Sequence, residues 1–193
     1  MTFAQALIST LAVLAPGFAD RVLSIALTDA SFLVMGPAAV GLVVGAYMVG
    51  GFGAKVLKGK LILRGVLIMG VTLILLSILT AQKNWGFQFT LFQFEFTINS
   101  LVISMVLLLV LGISNSFISV PANTILQGDS DAKVRGRVYG VLTSATGGVS
   151  LIPVLLSGIL ADVSGVGRTL GILGWSILFI GFYQLKKRRL FNI

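Results

Sequence analysis

The charged residues of this chain are gathered into short segments, and the stretches between them are apolar. Uncharged stretches cover residues 1–19, 30–54, 65–82, 96–128, 138–161 and 169–185. Most of these are long enough to cross a bilayer core of roughly 30 Å as an α-helix. They predict six transmembrane helices, at about 3–27, 33–54, 61–81, 98–121, 137–161 and 168–185. We therefore expect an all-α, multi-pass membrane protein in which residues 1–193 form a single six-helix bundle.

The first predicted span is interrupted by Pro16-Gly17 and by the charged pair Asp20-Arg21. It is either one interrupted helix or a span followed by an outer-surface segment that ends near Asp29. A basic segment does not precede the apolar stretch, so residues 1–19 do not resemble a cleavable signal peptide. We interpret this segment as a span of the mature protein.

The Lys and Arg residues are distributed unequally between the two ends of the predicted spans. One side carries eleven of them: Lys55, Lys58, Lys60, Arg64, Lys133, Arg135, Arg137, Lys186, Lys187, Arg188 and Arg189. The other side carries three: Arg21, Lys83 and Arg168. Because cytoplasmic loops carry the excess of Lys and Arg, this bias predicts that both termini are cytoplasmic. The expected location is the cell (cytoplasmic or inner) membrane.

The longest predicted connection, residues 82–97, has a different periodicity. Residues 87–96 alternate apolar and polar positions on both sides of a slip at Leu91-Phe92, and this period is typical of a β-strand. We favour a ribbon that lies on the lipid headgroups, with Trp85 as an anchor. A gate over a substrate route is the alternative.

Polar residues follow one face of the fourth span and one face of the first. In the fourth span they recur every three or four positions: Gly112, Asn115, Ser119, Asn123 and Gln127. In the first span the comparable face comprises Ser9, Val13, Gly17, Asp20 and Ser24. Since such faces are costly in lipid, they should contact protein or a water-filled cavity. Hydrogen bonding between helices and a route for a solute both remain open.

Asp20 is the one carboxylate that the pattern places within a span. It should lie about 25 Å along its helix, in the outer third of the membrane, and Arg21 should point about 100° away from it. It is our candidate for a proton-coupling group. The alternative is that Asp20 caps the outer end of the span.

Composition narrows the chemistry further. With 56% hydrophobic and 10% charged residues, the chain does not match a soluble globule. Without Cys and His it has no disulfide, no thiolate or imidazole metal site and no Ser-His pair, so we expect no enzyme activity, no metal and no cofactor. The net charge of +8 follows from topology, because the basic groups lie at the ends of spans, and we expect no nucleic-acid partner.

One part of the chain resembles a known family. Residues 111–127, followed by 135–138, are similar to the tenth helix and the next loop of the major facilitator superfamily, in the branch of enterobactin-type exporters. Gly36-Pro37 with Gly41 and Gly45 resembles the start of that family's helix eight. The similarity extends over nearly the whole chain and is specific in 111–140. It implies the carboxy-terminal half of a twelve-helix carrier, built from two three-helix inverted repeats at 1–81 and 98–185.

The resemblance also implies a function. In this family the first and fourth helices of each half line the central cavity, which implies that Ser9, Gly17, Asp20, Ser24, Gly112, Asn115, Ser119, Asn123 and Gln127 line a substrate route. Arg135 and Arg137 would hold a cytoplasmic gate. We expect a half-unit or fragment of a secondary active transporter, a proton-coupled exporter of small amphipathic molecules. Its partners would be the substrate, the lipid bilayer and a missing amino-terminal six-helix half or a second copy. The alternative is a non-transporting membrane scaffold subunit or an inert truncated gene product.

Overall fold

The computed structural model describes residues 31–51, 57–81, 87–91, 94–98, 100–128 and 135–190. These residues are helical apart from one β-hairpin. The helices are α1 (Gly36–Gly51), which follows a π-helical turn at Ser31–Met35, α2 (Lys58–Ala81), α3 (Ser100–Gly128), α4 (Arg135–Ser164) and α5 (Val166–Leu190). The hairpin strands are β1 (Phe87–Leu91) and β2 (Phe94–Ile98).

All five of the described helices are long and apolar enough to cross a membrane, which is the character of a multi-pass membrane protein. They coincide with the predicted spans from 33–54 onward and confirm those five. The predicted span 3–27 lies outside the described residues. The sixth helix and the two inverted repeats therefore stay predictions.

α3 continues past the predicted end at residue 121, as far as Gly128. The longer helix includes Pro121, and proline disfavours a helix interior because it lacks a backbone N–H and crowds the carbonyl four residues earlier. Pro121 is nevertheless buried within α3, and α4 likewise contains a proline, Pro153, which is half-buried. Proline is tolerated in transmembrane helices, since neighbouring groups satisfy the freed carbonyl.

The hairpin confirms the strand period of the longest connection. β1 and β2 are antiparallel, with Phe89 opposite Phe96 and Leu91 opposite Phe94. The slip in the sequence pattern falls between the two strands. The predicted all-α class thus holds for the described residues except for this hairpin. The predicted anchor, Trp85, lies outside the described residues.

Glycine contacts give the relative directions of the helices. Gly41 contacts Leu109 and Gly45 contacts Ile113, so α1 and α3 run parallel. The contacts between α2 and α5 run in opposite directions along the two helices. They pair Thr80 with Gly167, Ser77 with Gly171, Ile74 with Gly174 and Leu67 with Gly181. α2 and α5 are therefore antiparallel, and their backbones approach closely along a row of small residues.

These directions place three basic segments at one end of the bundle. The six residues between α1 and α2, and the six between α3 and α4, span at most about 25 Å, less than the length of about 36 Å of α2. The ends of α1 and α3 therefore share one side with the starts of α2 and α4. Because α5 is antiparallel to α2, it ends on that same side. We call this side the basic end.

The core lies between α2, α3 and α5. Met69, Leu73 and Leu76 of α2 and Ile177 of α5 are no more than 2% exposed. Large apolar side chains on the outer faces of α1, α4 and α5 are exposed, as expected for helices that contact lipid.

A single residue, Gly165, separates α4 from α5. Its φ of +88° lies in the left-handed region, which glycine adopts without steric cost. Its N–H donates to the carbonyl of Ala161 at 3.0 Å, and its own carbonyl accepts from the N–H of Thr169 at 3.2 Å. This turn explains why the last helix begins close to Ser164 and two residues before the predicted start at 168.

Candidate functional site

One face of α3 packs against α1. A Cβ at Gly112 would overlap the carbonyl oxygen of Ala38, so the two backbones are in direct contact. Ser116 lies on the same face, and its Oγ donates to the carbonyl of Leu42 in α1 at 2.7 Å. This face of α3 is fully used by helix packing.

A second face of α3 packs against α2. Gly65 of α2 lies against Phe117 and Ile118 and against the backbone of Ser114. Ser114 is completely buried there, and its Oγ donates to the carbonyl of Leu111 in its own helix at 2.8 Å. This second face therefore also serves packing.

Asn115 lies between these two packing faces, about 60° around the helix from Gly112 on one side and from Ile118 on the other. Successive residues of an α-helix are about 100° apart, so Asn115 points about 100° away from both Ser114 and Ser116. It is only 6% exposed. Its Oδ1 accepts a hydrogen bond from Ser119 Oγ at 3.2 Å. Neither N–H of its Nδ2 has an acceptor in the part of the chain that the structure describes.

Several other buried hydroxyl side chains make hydrogen bonds within their own helix. Thr72, Ser157 and Thr169 each donate to a carbonyl three or four residues earlier in the sequence. A hydroxyl has one donor, which such a bond satisfies, whereas an amide has two. Among the described residues Asn115 is the only buried amide. The Asn115–Ser119 pair is therefore the candidate site.

The predicted residues of this polar face follow a stripe that turns gradually around α3, within about 120° from Asn115 to Gln127. Four residues along a helix advance about 400°, so each such step rotates the face by about 40°. Asn123 is half-buried, and Gln127 lies near the end of α3 with its side chain outside the described part. The structure brings Asn115 and Ser119 together and places Gly112 at the contact with α1.

The other predicted site residues cannot be located in the same way. Ser9, Gly17, Asp20 and Ser24 lie outside the described residues. Arg135 and Arg137 begin α4 at the basic end, but their side chains lie outside the described part. The expected gate and the expected proton-coupling group thus stay predictions.

Sequence reasoning missed Ser116, which makes a hydrogen bond between two helices. A signal was present, because Ser116 follows Gly112 by four residues and both can belong to one small-residue face. The polar pattern instead assigned Gly112 to the same face as Asn115. The two patterns are hard to separate in membrane helices, because serine is both a small residue that allows close packing and a polar residue that forms hydrogen bonds.

The site is electrically neutral in its own helix, because α3 contains no charged residue. A neutral amide and a hydroxyl can bind a carbonyl, ether or hydroxyl group of a solute through hydrogen bonds. Comparisons with known protein families, with curated proteins and with solved structures give no match to this chain. The site geometry is therefore the main basis for a functional proposal.

Proposed function

We propose that this chain is part of a secondary active transporter, in which the Asn115 side of α3 lines the route of a small amphipathic solute. The observation that carries the proposal is a 94% buried amide, on an apolar helix, whose two N–H donors have no acceptor among the described residues. A polar side chain within a span faces the bundle interior or a water-filled cavity, where it can bind a solute.

Energetics support a functional reason for Asn115. A buried polar group without a partner costs about 1–3 kcal/mol in proteins. Leucine has the same number of side-chain heavy atoms as asparagine and needs no hydrogen-bond partner at residue 115. An amide retained there is readily explained if its N–H groups bind a transient acceptor, while the bond from Ser119 fixes the orientation of the carbonyl oxygen.

The rest of the proposal depends on the resemblance in residues 111–140. Export and proton coupling come from it, with Asp20 as the protonatable group and Arg135 and Arg137 at a cytoplasmic gate. Alternating access needs two halves that rock against each other, so the partner would be another six-helix half or a second copy. The shared basic end of α2, α4 and α5 supports a cytoplasmic carboxyl terminus in the cell membrane.

The test is Asn115→Leu, made in the chromosomal gene so that any natural partner is also present. Proton-gradient-driven transport of ethidium is measured in inverted membrane vesicles. We expect at least a tenfold loss of transport, with the amount of folded protein unchanged, because leucine removes the hydrogen-bonding groups but fills the same space.

The matched control is Thr124→Leu. Thr124 lies about 180° around α3 from Asn115, is exposed, and donates to the carbonyl of its own helix at Val120. This variant should transport normally. Normal transport by Asn115→Leu, or an equal loss in both variants, would contradict a solute route at Asn115 and favour a scaffold role.

A further inference from the structure

Basic residues converge where α2 begins and α5 ends. Lys58, Lys60 and Arg64 lie in the first two turns of α2, and all three side chains are exposed. α5 ends with the run 186–189, which consists of four consecutive basic residues, and the side chain of Lys186 is exposed. Both segments belong to the basic end of the bundle.

The register between the two helices brings these segments together. Leu67 of α2 lies opposite Gly181 of α5. Two further turns, or about seven residues toward the basic end, place Lys60 opposite Arg188. Two residues of like charge thus occupy opposing positions at the end of a tightly packed helix pair, with further basic residues on either side.

The described acidic residues lie at the other end of the bundle. Asp162 is in the last turn of α4, directly before α5 begins, and Glu95 is in β2, which follows the end of α2. Neither can neutralise Lys60 or Arg188. The connection between α3 and α4 also belongs to the basic end and contains Asp129 and Asp131, so in the sequence eleven basic residues face two acidic ones at this end.

Helix formation does not account for the charges on α2. The start of a helix carries a partial positive charge, so Lys58 and Lys60 are unfavourable there. Membrane topology alone would be satisfied by basic residues anywhere in the connecting segments. The convergence of two separate segments on one helix pair needs an additional reason, and an anion between them provides it.

We infer that the α2–α5 basic end is a binding site for an anionic phospholipid, whose headgroup phosphate lies between Lys60 and the basic end of α5. Exposed Phe182 and Tyr183 lie on α5 one turn before the basic run. Aromatic side chains at this level contact acyl chains and the interface, so the site offers both charge and apolar surface to a lipid. This site does not depend on the proposed transport function.

The test is native mass spectrometry of the full chain, purified in micelles that contain equal amounts of phosphatidylglycerol and phosphatidylcholine. Wild-type protein should retain phosphatidylglycerol in clear excess. Each basic residue near an anionic surface contributes about fivefold to binding, so Lys60→Gln should lower the retained excess about fivefold. Arg168→Gln is the matched control, because Arg168 is an exposed basic residue at the other end, and it should retain the wild-type preference.

A second variant, Lys60→Glu, protects the test against a folding defect. Because Lys60 is exposed, a carboxylate at position 60 should leave the helix pair folded, while the reversed charge removes the lipid preference. Equal retention of both lipids by the wild type, or unchanged preference in Lys60→Glu, would overturn the inference. Displacement of the lipid by millimolar inorganic phosphate would also overturn it, because the site would then bind a soluble anion.

Discussion

The contact between α1 and α3 makes a quantitative prediction for Gly45→Ala. A Cβ at Gly45 would lie 2.8 Å from the Cβ of Ser116 and 2.9 Å from the Cα and carbonyl oxygen of Ile113. Unstrained carbon contacts are about 3.5–4 Å, so the helices would have to separate by roughly 0.6–1 Å.

Three terms set the size of the effect. Overpacking of this kind costs about 1–3 kcal/mol. Separation would also weaken the hydrogen bond from Ser116 to Leu42, and such bonds between membrane helices contribute about 0.6 kcal/mol on average. Alanine in place of glycine regains about 0.5–1 kcal/mol of backbone entropy. We therefore expect Gly45→Ala to destabilise the protein by about 1–2 kcal/mol.

The matched control is Gly140→Ala in α4. Gly140 is exposed, and no described residue would lie within 4 Å of a Cβ there, so we expect the helix-forming advantage of alanine to dominate. This variant should stabilise the protein by about 0.5–1 kcal/mol. Reversible unfolding of purified protein by added dodecyl sulfate in mixed micelles, followed by circular dichroism, measures both variants. The packing argument fails if Gly45→Ala is neutral or stabilising, or if both variants shift stability in the same direction.

Two further predictions concern Ser116 and Asp20. Ser116→Ala removes the Oγ that donates to the carbonyl of Leu42, and it should lower the free energy of unfolding by about 0.6 kcal/mol in the same assay. A loss above about 2 kcal/mol would contradict a role limited to this one hydrogen bond. Asp20→Asn should abolish transport driven by a proton gradient in the vesicle assay and leave exchange without a gradient intact; unchanged gradient-driven transport would remove Asp20 as the coupling group.

The amino-acid sequence alone determined where the described helices lie. In lipid, each spanning segment must satisfy its backbone hydrogen bonds internally, so an apolar stretch of sufficient length becomes a helix whatever its neighbours are. The boundaries of α2 illustrate this, since prediction and structure agree within about three residues. The strand period of residues 87–96 was also a local property, and the structure has a hairpin there.

Only the tertiary structure decided which side of each helix contacts another helix and which side is exposed. In soluble proteins the buried face is apolar and the exposed face polar, but in a membrane both the lipid-facing and the protein-facing sides are apolar, so hydropathy carries no information about orientation. The sequence placed Gly112 and Asn115 on one polar face, but only the structure shows that Gly112 is a backbone contact with α1. The inferred opposition of Lys60 and Arg188 likewise depends on the antiparallel register of α2 and α5. Small residues that let the two backbones meet set this register, and it joins residues that are far apart in sequence.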